Sequence, residues 1–499
     1  MAQAVEVRSL TSDGPSRSGL RQIQRTLTKW LWGDAIGEER KLIRKLDFFI
    51  LTYSCLSYFF NKLDRAAFAN AYVAGLKEAL QLEGNQYNIL LSMVTAGMLV
   101  GQVPNSLVIQ KVAPRIWLPS MVLLWAALTA LSAACKTFAQ LCVVRLFQGV
   151  AESSTYAGCI CVMESWYKSD EISMRTAILT ITGQVGNMCA GAMMAAIYAS
   201  LDGRLGLDGW QWVFIIDGII TCPIAFFGFA FFPDLPETTK APYLNKLEKD
   251  LALSRLPAKM EDGHNIAPWS LAKRVLGQPT FYICCGFSVL GSALQAYQVQ
   301  GLMLLYLKAR QHIDGWSQAE INTLPLGTQA LGIVVELLCA TVIDRSSRRL
   351  ATGLGLCLIQ LVCSIILFVP SMTVAGNLAA LYLAATSNGI NPLLYGWSSI
   401  IASRGGDDAA RSTILAGMVA FDMLLYTFWG IVLYPADDAP YWRNGYIAMV
   451  CVVAALSGWL FLVRWLDKFT LKKLVERPHG QELEVLGVEG AGERPQRIE

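Results

Sequence analysis

The sequence predicts an all-α membrane protein of twelve transmembrane helices in two six-helix repeats, and three observations predict it. Of 499 residues, 54% are hydrophobic and only 16% are charged, where a soluble domain carries roughly 25% charged residues; the mean hydropathy is +0.42. Apolar runs of spanning length recur along the chain, and a bilayer core of about 30 Å needs about 20 such residues per helix. The pattern of spans and basic loops also repeats: the inner loop near Lys111 has a counterpart near Arg345, about 234 residues later.

The spans follow in order. Residues 1–45 are polar, lack the apolar core of a secretory signal, and read as a cytoplasmic tail. The first half, 46–232, holds runs at 46–62, 87–110, 116–135, 138–166, 175–199 and 210–232. A charged, proline-punctuated loop, 233–277, follows as a tether; within it Leu244, Leu247 and Leu251 are at helical spacing and predict an amphipathic segment over Tyr243 to Arg255. The second half, 278–466, holds runs at 278–306, 320–343, 350–370, 376–401, 409–434 and 441–466, and 467–499 is a second tail. Lys and Arg favour the cytoplasmic side of short loops. They crowd the segments at Arg40 to Lys45, Lys111, Arg115, Lys168, Arg348, Arg404 and Lys472, which assigns both termini to the cytoplasm.

Several function classes are excluded. A net charge of +3 without a basic, aromatic-rich block argues against nucleic acid. The thirteen cysteines lie mostly in apolar runs without a C-x-x-C pair, as small buried hydrophobes do. His264, His312 and His479 stand apart in polar stretches, so no metal site is expected. No nucleophile–base pair or phosphate loop points to an enzyme, and no cofactor is implied.

An ionisable side chain inside a span costs roughly 2.5–3.5 kcal/mol on insertion scales, so each one is a functional candidate. Asp64 and Arg65 close the first run, Arg145 and Glu152 lie in the fourth, Asp217 in the sixth, Glu336 in the eighth and Asp422 in the eleventh. Seven residues separate Arg145 from Glu152, about 10 Å along one helix face, so one helix offers both charges to one cavity. An arginine binds a carboxylate bidentately, whereas a carboxyl in a low-dielectric cavity can carry a proton. Proton coupling is thus expected of Glu152 and charge balance of Arg145, with a fixed ion pair bracing the helices as the alternative. Gly149 between them either permits close helix approach or leaves room for a ligand. Adjacent on a helix, Asp64 and Arg65 point about 100° apart, so one can face the cavity and the other a partner helix, unless both form a helix-end charge pair. Asp217 reads as structural; Glu336 and Asp422 stay open between a cavity role and pairing within the second half.

Uncharged polar groups extend the list of substrate contacts: Gln184 and Asn187 in the fifth run, Gln295 and Gln298 in the seventh, Asn388, Asn391 and Tyr395 in the tenth. Bonds between helices are the alternative for about half of them. Gly389 and Pro392, in Ser387-Asn-Gly-Ile-Asn-Pro392, predict a helix break that frees backbone groups toward a cavity.

Ala340-x-x-x-Asp344-Arg345-x-Ser347-Arg348-Arg349 resembles the loop Gly-x-x-x-Asp-Arg-x-Gly-Arg-Arg of the major facilitator superfamily. The resemblance implies the major facilitator fold and a cytoplasmic latch, or gate, at Asp344, Arg345 and Arg348. The first-half counterpart, Gln110-Lys111-Val-Ala-Pro114-Arg115, is degenerate. With Pro104-Asn105-Ser106-Leu107 before it, this form resembles the fungal allantoate permease branch of the anion:cation symporters. Leu63-Asp-Arg65, Asn70-Ala-Tyr72-Val-Ala-Gly75, Ser165-Trp-Tyr167, Gly183-Gln-Val-Gly186-Asn187, Gly209-Trp-Gln-Trp212 and Phe232-Pro-Asp-Leu-Pro-Glu-Thr-Thr239 are similar to fungal pantothenate, biotin and nicotinate transporters. The resemblance spans roughly residues 41–470. It implies that Asp64 and Glu152 couple a proton, that Arg65 and Arg145 bind an anion, and that Gln184 contacts substrate.

The expected function is proton-coupled symport of a small organic anion by a monomeric, multi-pass protein of the plasma membrane. One alternative is efflux of an acidic secondary metabolite, although Gly183-Gln-Val-Gly186-Asn187 lacks the proline of the drug:proton antiporter motif Gly-Pro-x-x-Gly-Gly. The other is a non-transporting nutrient sensor.

Overall fold

The computed structural model describes residues 37–475 except 110–111, 240, 256–267, 347 and 406–407. Lys111 and Ser347, most of both tails and the side chains of Asp344 and Arg345 lie outside the described residues. Among the described residues helices are the sole regular secondary structure.

The first half contains α1 (Thr52–Ala71), α2 (Gln86–Val108), α3 (Pro114–Ser132), α4 (Phe138–Trp166), α5 (Ser169–Leu201) and α6 (Gly209–Phe231). Local chemistry sets several starts. Pro114 occupies the first turn of α3, where its missing N–H costs nothing. The Thr137 hydroxyl accepts from the Gln140 N–H to cap α4. The second half contains α7 (Pro279–Leu294), α8 (Gln318–Ser346), α9 (Arg349–Phe368), α10 (Val374–Ala384 and Asn391–Ser403), α11 (Asp408–Leu433) and α12 (Arg443–Val475).

The packing repeats. In the first half α1 lies on α5, α2 on α4 and α3 on α6; in the second, α7 lies on α11, α8 on the middle of α10, and α9 on α12. The halves meet along α2 with α11 and α5 with α8. At the end of the bundle away from the termini, this seam is bonded. The Asn88 amide donates to the Tyr434 carbonyl at 2.9 Å and accepts from the Ala436 N–H at 3.0 Å. Lys77 pairs with Asp437 at 3.4 Å, and Lys308 with Glu78 at 3.4 Å.

Several boundaries differ from the sequence expectation. The first helical run extends from Glu38 to Ala79, through π-helical turns at Asp47–Leu51 and Tyr72–Leu76, so Asp64 and Arg65 sit mid-helix rather than at the end of a 46–62 span. The charges do not end the helix because the bundle supplies their partners. The run 278–306 is not one helix: it breaks at Gln295 and again at Gly301, whose φ of 64° begins the segment Leu302–Ala309. The tenth run turns into a 3-10 segment at Ala385–Ile390, around Asn388 and Gly389.

The tether holds two helices, Lys246–Arg255 and Pro268–Leu276, and Leu244 precedes the first. Leu244 and Ala252 are buried and Leu251 packs against the same cluster, while Leu247 is exposed, so two of the three leucines at helical spacing lie on the packed face. Charge also holds the Lys246–Arg255 helix. Lys45 bonds Glu248 at 2.6 Å, and Arg255, buried in its side chain, bonds Glu171.

Among the described residues, six helices are long and apolar enough to cross a membrane by length and composition alone, within α3, α6, α8, α9, α11 and α12. The other six carry polar groups or breaks, and four of these, α1, α2, α4 and α5, line the cavity described below.

Gly149 resolves to close approach. A Cβ there would stand 2.1 Å from the Val94 carbonyl oxygen, and one on Gly97 2.1 Å from the Leu146 carbonyl oxygen. Both obstacles are backbone, so neither helix can yield by a rotamer change. Gly149→Ala is therefore expected to destabilise the fold by about 1–3 kcal/mol, read as a lower melting temperature of the purified protein and reduced membrane abundance.

Candidate functional site

A cavity of about 300 Å³ lies between the halves, lined from α1, α2, α4 and α5 on one side and from the α7 region, α8 and α11 on the other. Its charged lining residues are Lys62, Arg65 and Arg145, all cations and all from the first half. Lys62 and Arg65 are one turn apart on α1 and so share a face. Amides of Asn187, Gln298, Gln300, Asn322 and Gln329 supply much of the remaining polar wall.

Behind the cations stand acids that do not line the cavity. Asp64 points away from Arg65 into the first half, where Thr129 donates to its Oδ2 and Gln148 Nε2 donates to the same oxygen at 2.7 Å. Gln148 Oε1 in turn accepts from Arg145 Nη1 at 3.0 Å, so Asp64 and Arg145 are joined through an amide rather than by direct pairing. The Arg145 guanidinium stacks 4.1 Å over the Phe68 ring, and its Nε has no hydrogen-bond partner. A cation over an aromatic face is attracted by the ring quadrupole, but this does not replace an anion.

Glu152 is wholly buried, and neither carboxylate oxygen has a hydrogen-bond donor. Its nearest cation is Arg65, with Nε 3.8 Å from Oε2. Arg145, two turns away on the same helix, does not pair with it. Arg65 is thus shared: one side faces the cavity and the other faces Glu152. Asp217 on α6 is also buried with both oxygens unpartnered.

The polar candidates divide. Asn187 and Gln298 line the cavity. Gln184 does not; it accepts from the Asn187 amide at 3.3 Å, one turn along α5. Gln295 donates to Asn391 at 2.8 Å within the second half. Tyr395 donates to Asp422 Oδ2 at 2.6 Å, and Ser288 donates to Oδ1 at 2.6 Å, so Asp422 is satisfied inside the second half. Asn388 is buried against α8, its Nδ2 2.3 Å from where a Cβ on Gly332 would be. Of the gate residues, Arg348 is exposed in a separate hollow with Arg349, Trp397, Arg464 and Asp467.

Lys62, Thr129 and Gln148 were absent from the sequence reading. Lys62 carried the same insertion-cost signal as Asp64 and Arg65, but it fell on the expected last residue of the first span. Thr129 and Gln148 are uncharged, and only the packing of α3 and α4 against α1 gives them a role.

The sequence model of the Major Facilitator Superfamily matches residues 54–421. The chain is 34% identical over 418 residues to pantothenate transporter liz1 of Schizosaccharomyces pombe, covering 83% of this chain and 80% of that one. It is 33% identical over 431 residues to pantothenate transporter FEN2 of Saccharomyces cerevisiae, covering 84% and 82%. Among solved structures it is similar to the inward open conformation of the xylose transporter XylE from E. coli, with TM-score 0.61 and 15% identity over 88% of this chain and 99% of that one.

Proposed function

The chain belongs to the Major Facilitator Superfamily, as a multi-pass membrane transporter of a small organic molecule and not an enzyme, and we propose that it is a symporter of a small organic anion and protons. One observation carries this reading: Arg65, set between the inter-half cavity and the donor-free carboxylate of Glu152. An anion entering the cavity competes with Glu152 for Arg65. When it takes that guanidinium, a proton on Glu152 restores charge balance, because a buried ion without a partner is expensive. Arg145 supplies the second cationic contact, and Asp64, reached through Gln148, is the second proton-coupling group. Asn187 and Gln298 add neutral contacts from the lining and Gln184 holds Asn187, while Gln295, Asn388, Asn391 and Tyr395, bonded or packed within the second half, belong to the substrate-binding assignment through the shape they give that half.

The halves are 46–232 and 278–466, tethered by 233–277, and they rock about the midplane site to alternate access. With both termini cytoplasmic, the bonded end of the seam is extracellular and this conformation is inward-facing; Asp344, Arg345 and Arg348 gate the cytoplasmic end. The protein acts as a monomer in the plasma membrane. The relatives' names make pantothenate the first probe. Uptake of radiolabelled pantothenate, biotin and lactate in a transport-deficient yeast, at external pH 5 and 7, tests the reading. Acid-stimulated accumulation of at least one acid is expected; pH-independent uptake, or export in place of uptake, would contradict it.

A further inference from the structure

The polar lining of the cavity is divided by charge. Its cations come from the first half, while the polar groups that the second half brings, Gln298, Gln300, Asn322, Gln329 and Tyr426, are neutral. An anion is therefore held at one wall, and the opposite wall meets the neutral part of the same molecule. Two of these neutral groups are engaged within the second half. Gln300 packs on α11, its Oε1 2.2 Å from where a Cβ on Gly430 would be, and the Tyr426 hydroxyl donates to the Ser292 carbonyl at 3.1 Å.

Asn322 differs. It is wholly buried in the second turn of α8, where its Nδ2 donates to the Gln318 carbonyl at 2.9 Å and its Oδ1 has no partner. That bond fixes which way the amide lies, because a carbonyl oxygen can face only the N–H side. Oδ1 can thus only accept. The backbone is held as firmly: a Cβ on Gly191 of α5, itself a lining residue, would stand 2.5 Å from the Asn322 carbonyl oxygen, so this turn of α8 lies directly against the other half.

Among the described residues, two other lining side chains carry a buried polar atom without a partner, Arg145 at Nε and Tyr87 at its hydroxyl. Both belong to the first half and both can donate. They flank Phe68, whose ring centroid is 4.1 Å from the Arg145 guanidinium and 6.0 Å from that of Tyr87. Two unmet donors on one wall and an unmet acceptor on the other match a molecule with a carboxylate at one end and an N–H or O–H at the other.

We propose that Asn322 is a specificity-determining residue of the cavity: its Oδ1 accepts an N–H or O–H from the neutral end of the substrate, while Arg65, Arg145 and Tyr87 hold the carboxylate. This deepens, and depends on, the assignment of the cavity to an anion. It narrows the substrate to a monocarboxylate that carries a hydroxyl or amide remote from its charge. A plain aliphatic acid leaves Oδ1 buried and unpaired, and a dicarboxylate sets a second acceptor against it, so both are disfavoured.

Matched acids test the assignment. Unlabelled hexanoate, ω-hydroxyhexanoate, butyrate, ω-hydroxybutyrate and adipate compete with labelled pantothenate, or with biotin or lactate if one of those is the acid taken up. In the wild type at least one ω-hydroxy acid is expected to inhibit about tenfold more tightly than its parent acid, and adipate is expected to inhibit more weakly than ω-hydroxyhexanoate. Asn322→Leu keeps the volume and removes the acceptor, and it is expected to bring the tenfold ratio to about one. The ratio compares two acids in the same cells, so membrane abundance cancels and a merely structural role for Asn322 does not move it. Asn322→Ala, which cannot crowd α5, is expected to give the same collapse. Equal or absent inhibition by hydroxy acid and parent in the wild type, or a ratio that survives in both variants, overturns the proposal.

Uptake that ignores pH contradicts proton coupling and leaves this ratio to be read. If the wild type takes up none of the three labelled acids, the transport reading fails on its own, and the matched acids are ranked by how far they raise the melting temperature of the purified full-length protein. A larger rise with an ω-hydroxy acid than with its parent, lost in Asn322→Leu, supports the assignment; equal shifts, or none, overturn it.

Discussion

Replacing Arg145 by methionine is expected to lower uptake kcat/KM by about 100-fold or more, with the protein still present in the membrane. Arg145 is among the largest fully buried side chains of the molecule. Its guanidinium has one hydrogen bond to a neutral amide, Gln148 at 3.0 Å, and an aromatic face at 4.1 Å, and among the described residues no carboxylate within ion-pair distance. Holding a desolvated cation that way costs several kcal/mol unless an anion arrives, so the missing partner is assigned to the substrate. Losing one member of a buried, hydrogen-bonded charge pair costs about 2–5 kcal/mol, which is the basis of the 100-fold figure. Methionine keeps the volume and the contact with Phe68 while removing the charge, so a fold defect is not the expected outcome. Lysine is the sharper comparison. It keeps the charge but cannot present two parallel N–H groups to a carboxylate, and Arg145→Lys is expected to lose at least about tenfold in KM. Full uptake in the methionine variant, at equal abundance by quantitative blotting, would make Arg145 a brace for α4 and not a ligand.

The sequence carried the fold further than it carried the site. Apolar runs located the twelve crossings because burial in lipid needs only composition and length, and the insertion cost picked out Asp64, Arg65, Arg145 and Glu152 without any geometry. What it could not carry is direction. Gln184 and Asn187 are both polar residues of α5, yet only Asn187 lines the cavity and Gln184 holds it in place. Tyr395 sits near a helix break and reads as a ligand, but its hydroxyl is spent on Asp422. Rotation of a helix by one residue, about 100°, decides such cases, and rotation is set by neighbours far away in sequence. Gly149 is the same lesson in reverse: two roles were open, and the Val94 carbonyl oxygen, 2.1 Å from a hypothetical Cβ, leaves one. The helix limits erred where charge was read as a terminus. Asp64 did not end α1, because Thr129 and Gln148 meet it inside the bundle.

Glu152→Gln is expected to reduce concentrative uptake sharply while sparing exchange, and it separates proton coupling from substrate binding. Gln matches Glu in shape, so packing in the donor-free pocket is preserved, and the side chain is permanently neutral as the protonated acid would be. In the wild type, an ionised Glu152 competes with the substrate for Arg65 at 3.8 Å, and a proton must arrive before the anion can hold that guanidinium. External acid therefore stimulates uptake. In the variant the competitor is gone: the anion binds Arg65 at any pH, and the stimulation between pH 7 and pH 5 should fall to about the level left by Asp64 alone. With no proton moved at this site, only the Asp64 proton is left to drive accumulation, and the ratio of internal to external probe should fall well below the wild-type value. Counterflow of unlabelled against labelled substrate needs no net proton movement, so it should persist at a rate similar to wild type. Loss of both uptake and counterflow at normal abundance would instead place Glu152 in the bracing of α1 against α4. Retained accumulation with an intact pH response would remove it from the coupling path altogether and shift that role to Asp64, whose Oδ2 already accepts two hydrogen bonds while its Oδ1 accepts none.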